Sequence, residues 1–172
     1  MKSSCVLVVS LLVCASPAPA QTPHVRPMDA VARLALERGV EESARFRALL
    51  DELDASNVIV HVMGVRSLPL GVVGTMRFVG SIGETRYIRV HIAATSPPAL
   101  RVATLAHELE HACEVARSPA TTHDAVRDLY RRIGAEVPGA RDAYETAAAQ
   151  LIGAEVLAEL RGLGPAVRTA EQ

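Results

Sequence analysis

Two imidazoles and a carboxylate stand together in His107-Glu108-Leu109-Glu110-His111, the spacing written HExxH. On a helix, His107 and His111 fall about 40° apart around the axis, so both can present a ring nitrogen to one divalent cation. Glu108 is turned about 100° from His107, which keeps it out of the ligand set but within reach of a water that the cation acidifies. A carboxylate so placed is a general base. The chemistry this set supports is hydrolysis, with Zn2+ as the expected ion. Leu105, Ala106, Leu109, Ala112 and Cys113 surround the motif, so its helix is expected to be largely buried, where imidazoles and carboxylates need partners.

The motif lies in the middle of a run from Ala99 to Arg117 that contains neither Gly nor Pro and is opened by Ser96 and Pro97-Pro98, the signature of a long helix. Upstream, Met28 to Arg38 and Glu41 to Leu53 carry apolar residues at helical spacing and predict two helices separated near Gly39. The character changes at Asn57. Val58 to Val65 reads as a strand, Leu68 to Gly74 as a loop, Thr75 to Val79 as a second strand, and Ile82-Gly83-Glu84 as a hairpin turn. Tyr87, Arg89 and His91 alternate with Ile88, Val90 and Ile92 in a third strand that has one apolar face. Beyond the motif, Thr121 or Thr122 caps a helix ending at Gly134, and a last helix is expected from about Ala140 to Leu160.

Strands, then an HExxH helix, then later helices resemble the zincin metallopeptidases over about Val58 to Leu160. The resemblance implies an α+β fold in which a small, three-stranded, mostly antiparallel sheet packs on the HExxH helix, with helices before and after it, and an edge strand that holds a peptide substrate by backbone pairing. It also implies that His107 and His111 bind zinc and that Glu108 is the base. The metzincin continuation does not carry over, because Ala112 to Arg117 reads ACEVAR and lacks the Gly and His which that pattern requires.

The third ligand stays open among four residues. Glu145, expected on the first turns of the last helix, resembles the gluzincin arrangement, and Ala147, Ala148 and Ala149 after it would let that helix come close. Gluzincins often place an Asp four residues after this Glu to orient a His, whereas here that position is Ala149; Asp142 or another carboxylate would have to serve. His123, just beyond the motif helix, is the alternative. Glu114 shares the face of both His but would have to bend back along one straight helix, and Glu110 points away and is expected at the surface or as an outer carboxylate. Tyr130 and Tyr144 are candidates to stabilise an oxyanion, against the simpler role of anchoring helix packing. His24 is expected to be inert, and His61 and His91 to be hydrogen-bonded strand residues.

The chain has 172 residues, enough for one domain. Its N-terminus reads as a bacterial-type export signal over residues 1–20. Lys2 is followed by an apolar run from Cys5 to Cys14 that is too short to span a bilayer, and Ala18-Pro19-Ala20 is a small-residue cleavage site. Residues 21–27 read as a flexible lead-in, 28–164 as a single domain, and 165–172 as a frayed tail. A net charge of -1 and 3% aromatic residues argue against a nucleic-acid partner. Removal of the signal leaves Cys113 as the only cysteine, so no disulfide is expected, and no transmembrane segment remains. These readings converge on a secreted or periplasmic zinc-dependent metallopeptidase acting on a peptide or protein substrate. The alternative is a catalytically inactive zincin-like module that binds metal or protein.

Overall fold

The computed structural model describes residues 22–138 and 142–163; the expected export signal over 1–20 and the expected tail over 165–172 lie outside the described residues. The order of elements is β1 (Val25–Pro27), α1 (Ala30–Glu42), α2 (Ala44–Asp54), β2 (Val58–Val65), β3 (Gly74–Ile82), β4 (Thr85–Ala93), α3 (Pro98–Ala116), α4 (His123–Ile133), β5 (Ala135–Glu136), β6 (Tyr144–Glu145) and α5 (Ala147–Leu160). The class is α+β, as expected, but the sheet differs. It has four strands in the order β1-β2-β4-β3, parallel between β1 and β2 and between β2 and β4, and antiparallel between β4 and β3. The expected three-stranded, mostly antiparallel sheet is therefore corrected on both counts.

Both differences have local causes. Val25–Pro27, in the segment expected to be a flexible lead-in, forms β1, and its prolines do no harm because an edge strand needs hydrogen bonds on one side only. His24 O accepts from Val60 N and Met28 N donates to Val62 O, each at 2.8 Å. The β3–β4 hairpin forms where the sequence predicts it, turning at Gly83 with φ of 59°. The chain after β2 crosses to the far side before descending as β3, so β4 returns between them, parallel to β2 over Val58 to Val65.

All the helices that bury the sheet lie on one face of it. Val58, Val60, Val62, Ile88, Val90 and Ile92 on that face are fully buried, each contributing about 1.5–3 kcal/mol. They pack with α1 and α3. Helix α3 is buried along almost its whole length, from Val102 to Val115 except His107, because the sheet covers one side and α5 the other. Its C-terminus is held by Arg86, a buried β4 residue that donates to the carbonyls of Val115, Ala116 and Ser118. Val115 and Ala116 are in the last turn, where a helix leaves its carbonyls without intrahelical donors, and Ser118 follows just beyond it.

The last helix starts at Ala147, later than the expected Ala140. The Thr146 hydroxyl accepts from Ala149 N at 3.2 Å and caps it, while the residues before it pair as a short hairpin, with Ala135 opposite Glu145 and Glu136 opposite Tyr144. Of the three alanines expected at the helix contact, Ala149 alone is buried. Gly153 one turn later is the other close approach, since a Cβ there would lie 3.3 Å from His107 Cβ.

Candidate metal centre

Three side chains from two separate parts of the chain converge. His107 and His111 leave the same face of α3 with ring centroids 5.0 Å apart. Glu145, on β6 immediately before the α5 cap, brings Oε1 to 3.2 Å from His107 Nε2 and 3.7 Å from His111 Nε2. The three ligand atoms lie within 4.8 Å of one another. Ligands at about 2.0–2.2 Å from a tetrahedral ion lie about 3.4 Å apart, so this group can hold a metal ion with little movement. Glu145 therefore meets the two histidines from a strand and not, as expected, from the first turns of a helix. Thr146 N donates to its Oε1 at 3.0 Å and fixes the carboxylate.

His111 is also held from behind. Glu114 Oε2 accepts from its Nδ1 at 2.8 Å, and Glu114 Oε1 accepts from the Thr146 hydroxyl at 2.6 Å. Glu114 is 8% exposed, so the carboxylate's position is fixed by these bonds. With Nδ1 engaged as donor, Nε2 of His111 is the nitrogen left to face Glu145 and His107. Glu114 is thus an orienting residue and not the third ligand. The sequence places it on the ligand face without revealing this role; its position three residues after His111, one turn along the helix, was the available signal.

Glu108 stands beside the group without joining it. It is 6% exposed, and burial is the main cause that pushes its carboxyl up to about 7; His111 opposes the rise and Glu145 adds to it. Burial lowers the His107 ring from its ordinary value, with Glu145 opposing. Burial would also lower His111, but hydrogen bonds to Glu114 and Glu145 outweigh it and push this ring up to about 9. Burial pulls Glu145 upward, and the two imidazoles more than reverse that, leaving it below the usual carboxylate range. One charged imidazole, His111, therefore sits among carboxylates where a cation fits. Space for Glu108 comes from Gly74 at the start of β3, where a Cβ would lie 2.6 Å from Glu108 Oε1 and 2.5 Å from Thr104 Cγ2.

The remaining candidates fall elsewhere. His123 is exposed at the start of α4, with its ring edge-on to Phe78 at 5.3 Å; it is not in the group. Glu110 is buried, which rules out the surface position, one of the two expected for it, and it pairs with Arg117 Nη1 at 2.6 Å, which Glu52 also holds. Asp142 pairs with Arg127 at 3.4 Å, so Glu114 has the orienting role considered for it. Tyr130 donates its hydroxyl to His111 O at 2.8 Å and stacks on Tyr144 at 6.3 Å. Its hydroxyl is thereby committed to anchoring α4 on α3. Cys113 is buried and is the one free cysteine among the described residues. His24 Nδ1 contacts Leu53 O at 2.9 Å, a structural role. No described helix is long and apolar enough to cross a membrane.

No protein-family model matches this chain, and neither a curated protein nor a solved structure matches it.

Proposed function

We propose that the protein is a zinc-dependent metallopeptidase in which His107, His111 and Glu145 hold the ion and Glu108 is the general base. The observation that carries this is the separation of roles in the site. Two imidazoles and one carboxylate converge within 4.8 Å, while a second, buried carboxylate lies alongside and outside the group. Two imidazole nitrogens, once His111 gives up its proton, and one carboxylate oxygen are a donor set suited to zinc, and three protein ligands would leave room for a water beside it. Zinc held by His107, His111 and Glu145 would supply a Lewis acid and lower the pKa of a bound water.

The chain's own residues supply the rest. Glu108, buried alongside the group and outside it, can take a proton from the attacking water and return it to the departing amine. Glu114 keeps His111 in one tautomer, and Thr146 holds both Glu114 and Glu145. Peptide-bond hydrolysis then balances: water adds its oxygen to the carbonyl carbon, the C–N bond breaks, and the proton held on Glu108 leaves with the amine. The reading includes export, on the strength of Lys2, the Cys5 to Cys14 run and Ala18-Pro19-Ala20.

The test is elemental analysis beside a peptide-cleavage screen. About one zinc per chain is expected, lost or weakened in Glu145→Ala, with cleavage abolished and zinc retained in Glu108→Gln. Zinc without any cleavage would leave the inactive, zincin-like binding module. No zinc after incubation with the metal would refute the reading.

A further inference from the structure

Strand β3 is the outer strand of the sheet, and among the described residues no strand pairs with its far side. Ala93 N donates to Val73 O, so positions 73 and 93 are a hydrogen-bonded pair. Alternation along the antiparallel ladder then turns the N–H and C=O groups of Thr75 and Arg77 toward β4 and those of Gly74 and Met76 outward. The outward groups can pair with an extended segment, and this edge begins at Gly74, directly against Glu108.

The sheet face away from the helices carries an unusual row. Arg26, His61, Arg89 and Arg77 are in register across all four strands. Arg77 and Arg89 are exposed, and no ion pair among the described residues includes them or Arg26. Like charges directly opposite one another weaken a sheet, and here the pair stands unneutralised. The guanidiniums act on one field: besides burial, Arg26 and Arg89 lower the His61 ring, and Arg89 and Arg77 lower that of His91.

A strand added to β3 extends this row by one place. Its residue opposite Arg77 has its side chain on the outer face, with Cβ about 4.5–5.5 Å from that of Arg77. Arg77 is three positions from Gly74, about 10 Å along the edge. The zincin resemblance already implies an extended peptide along such an edge; we propose that the arginine row, through Arg77, selects among such peptides those with an Asp or Glu about three residues from the bond beside Glu108. This rests on the peptidase reading and names its substrate class.

The test uses the zinc-loaded protein and synthetic peptides in matched pairs, with Glu or Gln at each position around the cleaved bond. A preference for Glu of about three- to five-fold in kcat/KM is expected at one position, the size of an exposed ion pair. It should shrink at high salt, fall to parity in Arg77→Gln, persist in Arg132→Gln on α4, and turn toward Lys in Arg77→Glu. Cleavage with no such position, or with a preference unchanged in Arg77→Gln, would overturn the inference and leave the peptidase reading intact. Absence of cleavage for every peptide would overturn both. Salt-sensitive binding of a single-stranded oligonucleotide that Arg77→Gln abolishes, without a peptide preference, would also overturn it by assigning the row to a different polyanion.

Discussion

Replacing Gly74 by Ala puts a methyl group where α3 leaves no room. The new Cβ would lie 2.5 Å from Thr104 Cγ2, 2.6 Å from Glu108 Oε1 and 3.0 Å from Glu108 Cγ. Ordinary carbon contacts are about 3.5–4.0 Å, so the overlap with Thr104 is about 1 Å or more. Thr104 is 7% and Glu108 6% exposed, and neither can swing into solvent. Overpacking by one methyl costs about 1–3 kcal/mol; with buried neighbours on both sides the upper part of that range is expected, a fall in melting temperature of about 4–12 °C for a domain of this size. The second effect separates the base from the ligands. The three atoms nearest the methyl belong to Thr104 and Glu108 and none to His107, His111 or Glu145, so zinc affinity should stay near that of the parent. Displacing Glu108 by about 1 Å should lower kcat/KM by up to about 100-fold. Thr104→Ser, which removes Cγ2, should restore part of the lost stability in the double variant. Thermal unfolding, competition with a chromogenic chelator and peptide hydrolysis measure the three quantities. A melting temperature within about 1 °C of the parent would refute the close approach, and parallel losses of zinc and activity would refute the separation of Glu108 from the ligand group.

Glu114→Ala removes the acceptor for both His111 Nδ1 and the Thr146 hydroxyl, and zinc affinity by chelator competition should fall about 10- to 100-fold; an unchanged affinity in a folded variant contradicts the orienting role. Arg86→Ala strips the α3 C-terminus of donors to Val115, Ala116 and Ser118, with an expected loss of about 3 kcal/mol or more in denaturant unfolding, and a loss under about 1 kcal/mol would show that water replaces them. In the metal-free protein the buried His111 ring is raised to about 9 by Glu114 and Glu145, so it carries a proton at neutral pH that a bound metal must displace. Apparent zinc affinity should therefore rise with pH toward about 9 and binding near neutral pH should release about one proton, as calorimetry in two buffers of different ionisation enthalpy would show; a pH-independent affinity argues against it.

Short-range chemistry made much of this readable from the sequence. The α3 helix over the motif, the cap at Thr122, the β3–β4 hairpin and the buried Cys113 all follow from residues within a few positions of one another. The order of the sheet does not. Val58 to Val65 is a β-branched run and Tyr87 to Ile92 alternates, and such patterns mark a strand, or its buried face, but not which strand lies alongside. The prolines at 23 and 27 similarly conceal β1, because they forbid a central strand and permit an edge one.

At the site the residues were readable and their supports were not. Glu145 could be named, beside His123 and Glu114, because the chain resembles the gluzincins there, but its place on β6 depends on where α5 begins, and that is decided by Thr146. The Thr146 hydroxyl accepts from Ala149 N and donates to Glu114, and its backbone N–H holds Glu145 Oε1. One residue thus starts a helix, fixes the candidate ligand Glu145 and, through Glu114, orients His111. A threonine before three alanines signals a helix cap and nothing more, since its second bond reaches 32 residues back to Glu114. That contact exists only because α5 packs along α3, and α5 approaches because Ala149 and Gly153 present almost no side chain to His107 and its neighbours. The ligand geometry is therefore a consequence of helix packing, so a bulky residue at Gly153 should disturb the metal group as directly as loss of a ligand, with every ligating side chain still present.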